Sequence, residues 1–213
     1  MIMKKYYAGI TQITLVLGSA LLVLSTATIH AQENGFYLGA DVGPNFADKL
    51  TSDFLVNGSI SLNTGIRGDV FVGYAFGLTE HLSLAPELEM GALYNSFGNG
   101  TINGQNTTGG GDVVQVPFLA NAILNWHFNP RLSIYGGVGV GAEYFDVSVS
   151  NSNSPQAAFA GSEGDVAWQA ELGVKYKLGP GDLGLGYKYL GFSPLFFNPI
   201  ANHTVVASYT IHF

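Results

Sequence analysis

Cysteine is absent from the 213-residue chain, which excludes a disulfide framework, a zinc–thiolate site and lipid attachment at an N-terminal cysteine. Charge is also scarce, because Asp, Glu, Lys and Arg make up 11% of the residues, against about 25% in an average soluble domain. After residue 31 no run of about 18 apolar residues occurs, so no membrane-spanning helix is predicted there. Glycine, in contrast, is abundant, with 29 residues.

The first 31 residues have the pattern of a cleaved secretory signal peptide. Lys4 and Lys5 form its basic start, an apolar stretch covers Ile13–Leu24, and Ala31 is a small residue at the cleavage point. A transmembrane anchor is the alternative, but this apolar stretch is shorter than the roughly 20 residues needed to span a bilayer. Cleavage would leave one domain, residues 32–213, with six basic and 15 acidic residues and a net charge near −9. This acidity argues against a nucleic-acid partner.

The remainder of the chain alternates between apolar and polar residues in eight segments, a period of two that predicts β-strands. The predicted strands are Gly35–Gly43, Gly65–Gly77, Leu82–Tyr94, Val113–Phe128, Leu132–Val147, Asp165–Leu178, Leu183–Phe192 and His203–Phe213. Three connections are short turns, at 78–81, 129–131 and 179–182, and four are long and polar, at 44–64, 95–112, 148–164 and 193–202. Residues 98–111 consist mainly of Gly, Asn and Thr and are predicted to be nearly structureless. An even strand number with short turns at one end and long loops at the other is typical of an outer-membrane barrel.

The positions of the charged residues decide which face of each strand meets lipid. The last strand has an apolar side that comprises Val205, Ala207, Tyr209, Ile211 and Phe213. On the other strands almost every charge lies on the side opposite to the apolar residues, and these inward charges are Asp41, Arg67, Asp69, Glu87, Glu89, Glu143, Asp165, Glu171, Lys175, Lys177 and Lys188. Only Asp146 lies on the apolar side, at a strand end near the rim. An outward Lys or Arg at the bilayer midplane would cost about 2–4 kcal/mol, whereas a soluble barrel would show the opposite pattern. The sequence therefore predicts an all-β protein, an eight-stranded antiparallel up-and-down transmembrane β-barrel.

An eight-stranded barrel has a lumen that side chains can just fill. The predicted lumen charge network consists of Arg67, Asp69, Glu87, Glu89, Glu143, Glu171, Lys175 and Lys188. Two interpretations stay open: a salt-bridge plug that closes the barrel, or a narrow, gated conduit for ions or small solutes. Gly137, Gly139 and Gly141 face inward and would leave room for longer side chains opposite.

Aromatic residues are predicted to form two girdles at the bilayer interfaces. The girdle at the turn end comprises Phe36, Phe76, Trp126, Phe128, Tyr176 and Phe213, and the girdle at the loop end comprises Tyr94, Tyr144, Trp168 and Phe192.

Motifs for catalysis, metal binding or cofactors are not found in the sequence. The five histidines are scattered and form no H-E-x-x-H pair, and there is no G-x-S-x-G. The glycine run Gly136–Gly141 precedes a strand rather than a helix, so it does not predict a nucleotide site. His81 and Ser83 offer a base and a nucleophile, as in barrels of the lipid A deacylase type, but they lie at a predicted periplasmic turn. The sequence therefore predicts no enzyme, no metal site and no cofactor.

The chain resembles the small outer-membrane β-barrel family, which includes the OmpA transmembrane domain, OmpX and opacity-like surface antigens. The residues that carry the resemblance are Phe36–Gly43, Trp168–Tyr176, Leu185–Tyr189 and the terminal Phe213. The resemblance implies a bacterial outer-membrane location and contact with outer-membrane lipid. It also implies that Val205, Tyr209, Ile211 and Phe213 form the C-terminal signal for the barrel-assembly machinery.

Members of this family include surface antigens, adhesins, envelope-stabilising proteins and weak pores. The resemblance therefore implies a structural or surface-interaction role, with an extracellular ligand or host surface reached through the loops. A peptidoglycan-binding domain of the kind found in full-length OmpA is not expected in this chain.

Overall fold

The computed structural model describes residues 34–52, 58–102, 105–108, 110–150, 159–192 and 200–213. The predicted signal peptide lies outside the described residues. The strands are β1 (Gly35–Ala47), β2 (Leu50–Ser52), β3 (Gly58–Leu62), β4 (Gly65–Gly77), β5 (Leu82–Ile102), β6 (Gln105–Thr108), β7 (Gly110–His127), β8 (Leu132–Ser150), β9 (Phe159–Leu178), β10 (Gly181–Phe192) and β11 (Ile200–His212). Within these ranges no helix is long and apolar enough to cross a membrane.

Eight long strands pair in an antiparallel ring, in the order β1, β4, β5, β7, β8, β9, β10 and β11. The ring closes because β11 pairs with β1, from Tyr37 opposite His212 to Ala47 opposite Asn202. The backbone amide of Phe213 also donates to the carbonyl of Phe36 at 2.9 Å. The predicted eight-stranded antiparallel barrel is confirmed, as is the predicted pairing of its last strand with its first.

The strands extend further at the loop end than the alternation predicts. β5 continues to Ile102 and β9 begins at Phe159. The prediction that residues 98–111 lack structure is wrong for the described residues, because β6 pairs with β5 from Asn99 opposite Thr108. The short β3 pairs with the other edge of β5. The hydrogen bonds between these strands join backbone groups and do not depend on the side chains. A polar segment can therefore remain a strand when a partner strand is adjacent.

Three short turns close the other end of the barrel at the predicted places. The amide of Leu78 donates to the carbonyl of Leu82 at 2.8 Å, and the amide of Phe128 to that of Leu132 at 3.0 Å. The third turn is the pair Gly179–Pro180 between Leu178 and Gly181. Gly179 has a φ of 65°, which matches the first central position of a type II′ hairpin turn.

The two faces of the wall differ as the charge positions predict. Outward side chains in the middle of the strands are apolar and exposed, as at Leu88, Val138 and Leu172, each more than 60% exposed. The predicted position of Phe192 in the outer aromatic girdle is wrong, because its ring is buried inside the barrel at 2% exposure. Phe192 lies four residues after the inward Lys188, so strand alternation places both side chains on the inner face.

Candidate functional site: the barrel lumen

The centre of the lumen contains two cations bound to shared carboxylates. Arg67 Nε lies 2.8 Å from Asp69 Oδ2, and Arg67 Nη2 lies 2.8 Å from Glu89 Oε1. Arg67 Nη2 also donates to Gln169 Oε1 at 2.6 Å. β4 and β5 are neighbours in the ring, so Asp69 and Glu89 flank the guanidinium, whereas Gln169 contacts it from β9 across the lumen.

Lys188 on β10 reaches the same carboxylates from the far side of the barrel. Its Nζ lies 2.7 Å from Asp41 Oδ2, 3.0 Å from Asp69 Oδ2 and 3.0 Å from Glu89 Oε1. We call Asp41, Arg67, Asp69, Glu89, Gln169 and Lys188 the charge layer. The charged side chains of this layer are at most 2% exposed. Buried charges of this kind are stable only when they are paired and hydrogen-bonded.

The other predicted network residues also lie on the inner face, but they differ in their partners. Glu87 accepts from the Tyr37 hydroxyl at 3.0 Å and from Asn121 Nδ2 at 3.1 Å. Lys175 is half-buried, with Nζ 4.6 Å from the centre of the Tyr135 ring.

Glu143 and Glu171 are buried outside the ion pairs of the charge layer. Neither oxygen of Glu143 has a hydrogen-bond partner in the described part of the chain, and Glu171 Oε1 likewise has none. The eight predicted residues thus divide into four that meet in the charge layer and four around it.

Several polar residues that hold the lumen together were not named as members of the predicted network. Asp41 and Gln169 belong to the charge layer, and Asn121 Nδ2 bridges Glu87 and Glu89, at 3.1 and 2.8 Å. Strand alternation places all three residues on the inner face. This alternation is the sequence signal that could have identified them. Asn and Gln were overlooked because the predicted network was limited to charged residues.

A second polar cluster lies towards the loop end and contains no charge. Asn45 Nδ2 donates to Asn95 Oδ1 at 2.7 Å and to Asn202 Oδ1 at 2.8 Å. Thr204 Oγ1 donates to Asn45 Oδ1 at 2.8 Å. Because β1, β5 and β11 each contribute, this cluster ties the closing strands together inside the barrel.

An apolar cluster fills the inner face at the loop end. Its buried members are Leu50, Leu93, Phe97, Val113, Leu119, Phe145, Val147, Ala167, Leu190, Phe192 and Ile200. Ile60 and Leu62 of β3 pack against it, so the β2–β3 segment covers the loop side. We call this set the loop-end cluster.

Glycines on the inner face make room for the large side chains of neighbouring strands. A Cβ at Gly73 would collide with the Tyr37 ring, and one at Gly173 with the Tyr135 ring. Gly137 faces the Ile123 and Glu171 side chains, and Gly139 faces Asn121. Small residues therefore lie opposite long ones, as expected for a packed barrel interior.

The turn end presents three of the described histidines, His81, His127 and His212. Ser83 Oγ lies 3.4 Å from His127 Nε2, a long contact, so the sequence-adjacent His81 is not its partner. His212 Nε2 lies 2.8 Å from Asp182 Oδ2. The four residues predicted to form the C-terminal signal, Val205, Tyr209, Ile211 and Phe213, are exposed on the outer wall, with Phe213 at 77%.

Solved structures with this fold come from bacterial outer membranes. Neisserial surface protein A matches with a TM-score of 0.53 and 19% identity, over 84% of this chain and 97% of that one. OprG from Pseudomonas aeruginosa matches with a TM-score of 0.51 and 14% identity, over 87% and 100%. The outer membrane enzyme PagL also matches, with a TM-score of 0.42 and 11% identity, over 82% and 98%. At such identities the likeness shows the fold alone.

No curated protein sequence matches the chain. The family model for the outer membrane protein beta-barrel domain matches residues 17–213. Two structural observations agree with this family match: the antiparallel ring is closed, and its outer wall is apolar. The chain belongs to the outer membrane protein beta-barrel domain family, and its place is the bacterial outer membrane, in contact with lipid.

Proposed function

We propose that this protein is a structural or surface-interaction component of the outer membrane, with a closed lumen and no enzymatic activity. The observation that carries the proposal is the charge layer. Arg67 and Lys188 extend into the lumen from β4 and β10 and meet on the same two carboxylates, Asp69 and Glu89. Their complete burial leaves little room for a column of mobile water at that level.

The loop-end cluster supports closure independently of the charges. Phe145 and Phe192 lie with their ring centres 5.3 Å apart inside the barrel, and Leu190 beside them is fully buried. A solute that passed the charge layer would therefore still meet a packed apolar segment.

Planar-bilayer recording tests the closed lumen. The purified, refolded barrel is expected to give no conductance above that of protein-free bilayers. A double variant, Arg67→Ala with Lys188→Ala, serves as the comparison because it removes both cations. Discrete conductance steps from the unmodified barrel would reject closure.

A narrow pore for ions or small solutes is the second candidate. Unpartnered oxygens of Glu171 and Asp41, together with a small central cavity lined by both residues, favour it. The same recording separates the two candidates, because a pore requires conductance in the unmodified protein.

The surface-interaction role is proposed for the loop end. Binding residues often lie on loops that a rigid scaffold holds in position. β3 and β6 flank the outer part of β5 and widen this end of the molecule. Replacing residues 99–108 by a short Gly-Ser linker is expected to abolish attachment of producing cells to a host-surface or matrix ligand. This range spares the buried Asn95 and Phe97, so the barrel should still form.

An equal-length Gly-Ser replacement of turn 78–81 provides the control at the opposite end. If both variants attach like the unmodified protein, the role proposed for the 99–108 segment is wrong.

The absence of enzymatic activity is part of the proposal. Ser83 is 3% exposed, and its long contact with His127 lies at the end of the short turns, so the hydroxyl is poorly placed to attack a lipid. Mass spectra of lipid A and phospholipids from overproducing cells should be unchanged. A new deacylated species that disappears in Ser83→Ala would overturn this part of the proposal.

A further inference from the structure

The acids at the centre of the lumen outnumber the bases. The carboxylates there are Asp41, Asp69, Glu87, Glu89 and Glu171, and the cations are Arg67, Lys175 and Lys188. Five negative and three positive charges leave a formal charge of −2 in a space that is largely closed to water. Such an excess is unfavourable unless carboxylates bind protons or a further positive group balances it.

Unpartnered acceptors outnumber unpartnered donors at this level, where Arg67 Nη1 is a buried donor without a hydrogen-bond partner in the described part of the chain. Glu171 Oε1, Asp41 Oδ1 and Asn121 Oδ1 are buried oxygens with no partner in the described part of the chain. The Asn121 amide is oriented by its nitrogen, which donates to both Glu87 and Glu89. Its free atom is therefore the oxygen, an acceptor.

A small cavity adjoins two of these residues, Asp41 and Glu171. Asp41, Glu87, Glu171 and Ser208 line it together with Lys175 and Lys188. It has about 20 Å³ of room for the centre of a water-sized group, which is enough for about one water molecule or ion.

Three of the carboxylates converge, and two of them, Glu87 and Glu171, line this cavity. One oxygen each from Glu87, Glu89 and Glu171 lie within 4.8 Å of one another. This upper limit is compatible with three oxygens around one Ca²⁺ ion, and an all-oxygen ligand set suits a hard divalent cation. Mg²⁺ usually retains several water molecules, for which a cavity of this size has no room.

We propose that the lumen contains a Ca²⁺ site formed by Glu171 and Glu87, with Glu89 as the third carboxylate. Glu171 supplies an uncommitted oxygen, and Glu87 is held in place by the Tyr37 hydroxyl and Asn121. Glu89, already bonded to Arg67 and Lys188, closes the site on the side of the charge layer. A bound divalent ion cancels the formal charge of −2. This site does not depend on whether the barrel interacts with surfaces or conducts.

Ca²⁺ titration of the refolded, full-length mature barrel in detergent tests the site, with isothermal calorimetry as the readout. One Ca²⁺ per barrel is expected, with Mg²⁺ binding more weakly. Glu171→Gln should weaken Ca²⁺ binding by about tenfold or more, because a ligand charge is lost. Glu143→Gln is the matched control: it neutralises another buried carboxylate outside the cluster and should leave Ca²⁺ affinity unchanged.

Terbium luminescence gives a second readout that does not need a mutated barrel. Tyr37 and Tyr135 adjoin Glu87 and the cavity, so a bound Tb³⁺ should be sensitised through tyrosine and displaced by Ca²⁺. If Glu171→Gln fails to fold, Glu87→Gln takes its place in both measurements. Absence of stoichiometric Ca²⁺ binding at millimolar concentration, or equal binding by the folded Glu171→Gln barrel, would overturn the proposal.

Discussion

Arg67 is the side chain on which most of the buried carboxylates of the charge layer depend. Its guanidinium binds Asp69 and Glu89 at 2.8 Å each while fully buried. Arg67→Ala would leave carboxylates with less compensation in a closed interior, so we expect the free energy of unfolding to fall by about 3–5 kcal/mol. Urea-induced unfolding of the barrel in lipid vesicles measures this change.

Arg131→Ala is the control for that substitution, because Arg131 is exposed in the turn between β7 and β8. Its effect should stay within about 0.5 kcal/mol. Equal loss of stability in the two variants would mean that the charge layer does not hold the barrel together.

Gly179 occupies a backbone conformation that other residues rarely adopt. Its φ of 65° lies in the left-handed region, and nothing lies within 4 Å of where a Cβ would be. Gly179→Ala should therefore cost about 1–2 kcal/mol through backbone strain alone, measured by the same unfolding experiment. Gly136→Ala is the control, because Gly136 lies on the outer face of β8 and a Cβ there would make only an ordinary contact. This substitution should lower the free energy of unfolding by less. A larger loss of stability at Gly136 would contradict the assignment of strain to the turn.

Individual contacts were harder to predict than the face on which a residue lies. Alternation placed Arg67 and Glu143 in the same lumen, and only the structure shows that Arg67 bonds with Glu89 while the Glu143 carboxylate has no hydrogen-bond partner among the described residues. Contacts across a barrel depend on strand tilt and on the stagger between neighbours. Neither quantity can be read from the sequence of one strand.

β9 presents its apolar side to lipid from Val166 to Leu178. Leu172 lies mid-strand and is 62% exposed, whereas Leu178 lies at the turn end and is 53% exposed. Leu172→Arg should destabilise the barrel in lipid by about 2–4 kcal/mol, and Leu178→Arg by about 0–1 kcal/mol, because the cost depends on depth in the bilayer. Equal costs, measured by unfolding in vesicles, would contradict the orientation of this strand.

The strands were predictable where side chains alternate and not beyond that point. The bounds of β4 match the prediction at both ends, since its apolar residues continue to the turn. β5 exceeds its predicted end because Asn99 and Thr101 give no apolar signal, yet their backbone groups pair with β6 and β3. Phe192 was assigned to the wrong face because only its position near the loop end of the strand was considered. Its place in the alternation of inward and outward residues was not.

Closure of the whole barrel rests on the last residue as well as on side chains inside. Phe213 donates a backbone hydrogen bond to Phe36 and ends the apolar face of β11. Deleting Phe213 should sharply reduce the amount of heat-modifiable barrel in the outer membrane, if this residue is part of the signal for the assembly machinery. Phe128→Ala is the control, because it removes another exposed aromatic residue at the turn end and should assemble normally. Normal assembly of the barrel without Phe213 would refute the role of Phe213 in the assembly signal.

The absence of cysteine makes water access to the lumen directly measurable. Ala85 and Ala167 are buried on the inner face, at 1% and 0% exposure, and Ala167 belongs to the loop-end cluster. Single variants Ala85→Cys and Ala167→Cys should label with a water-soluble maleimide only after unfolding, because a closed lumen excludes the reagent. Glu80→Cys, exposed in a turn, should label at once in the folded barrel. If the two lumen cysteines label in the folded barrel as fast as the turn cysteine, the lumen is open and the proposed closed barrel is wrong.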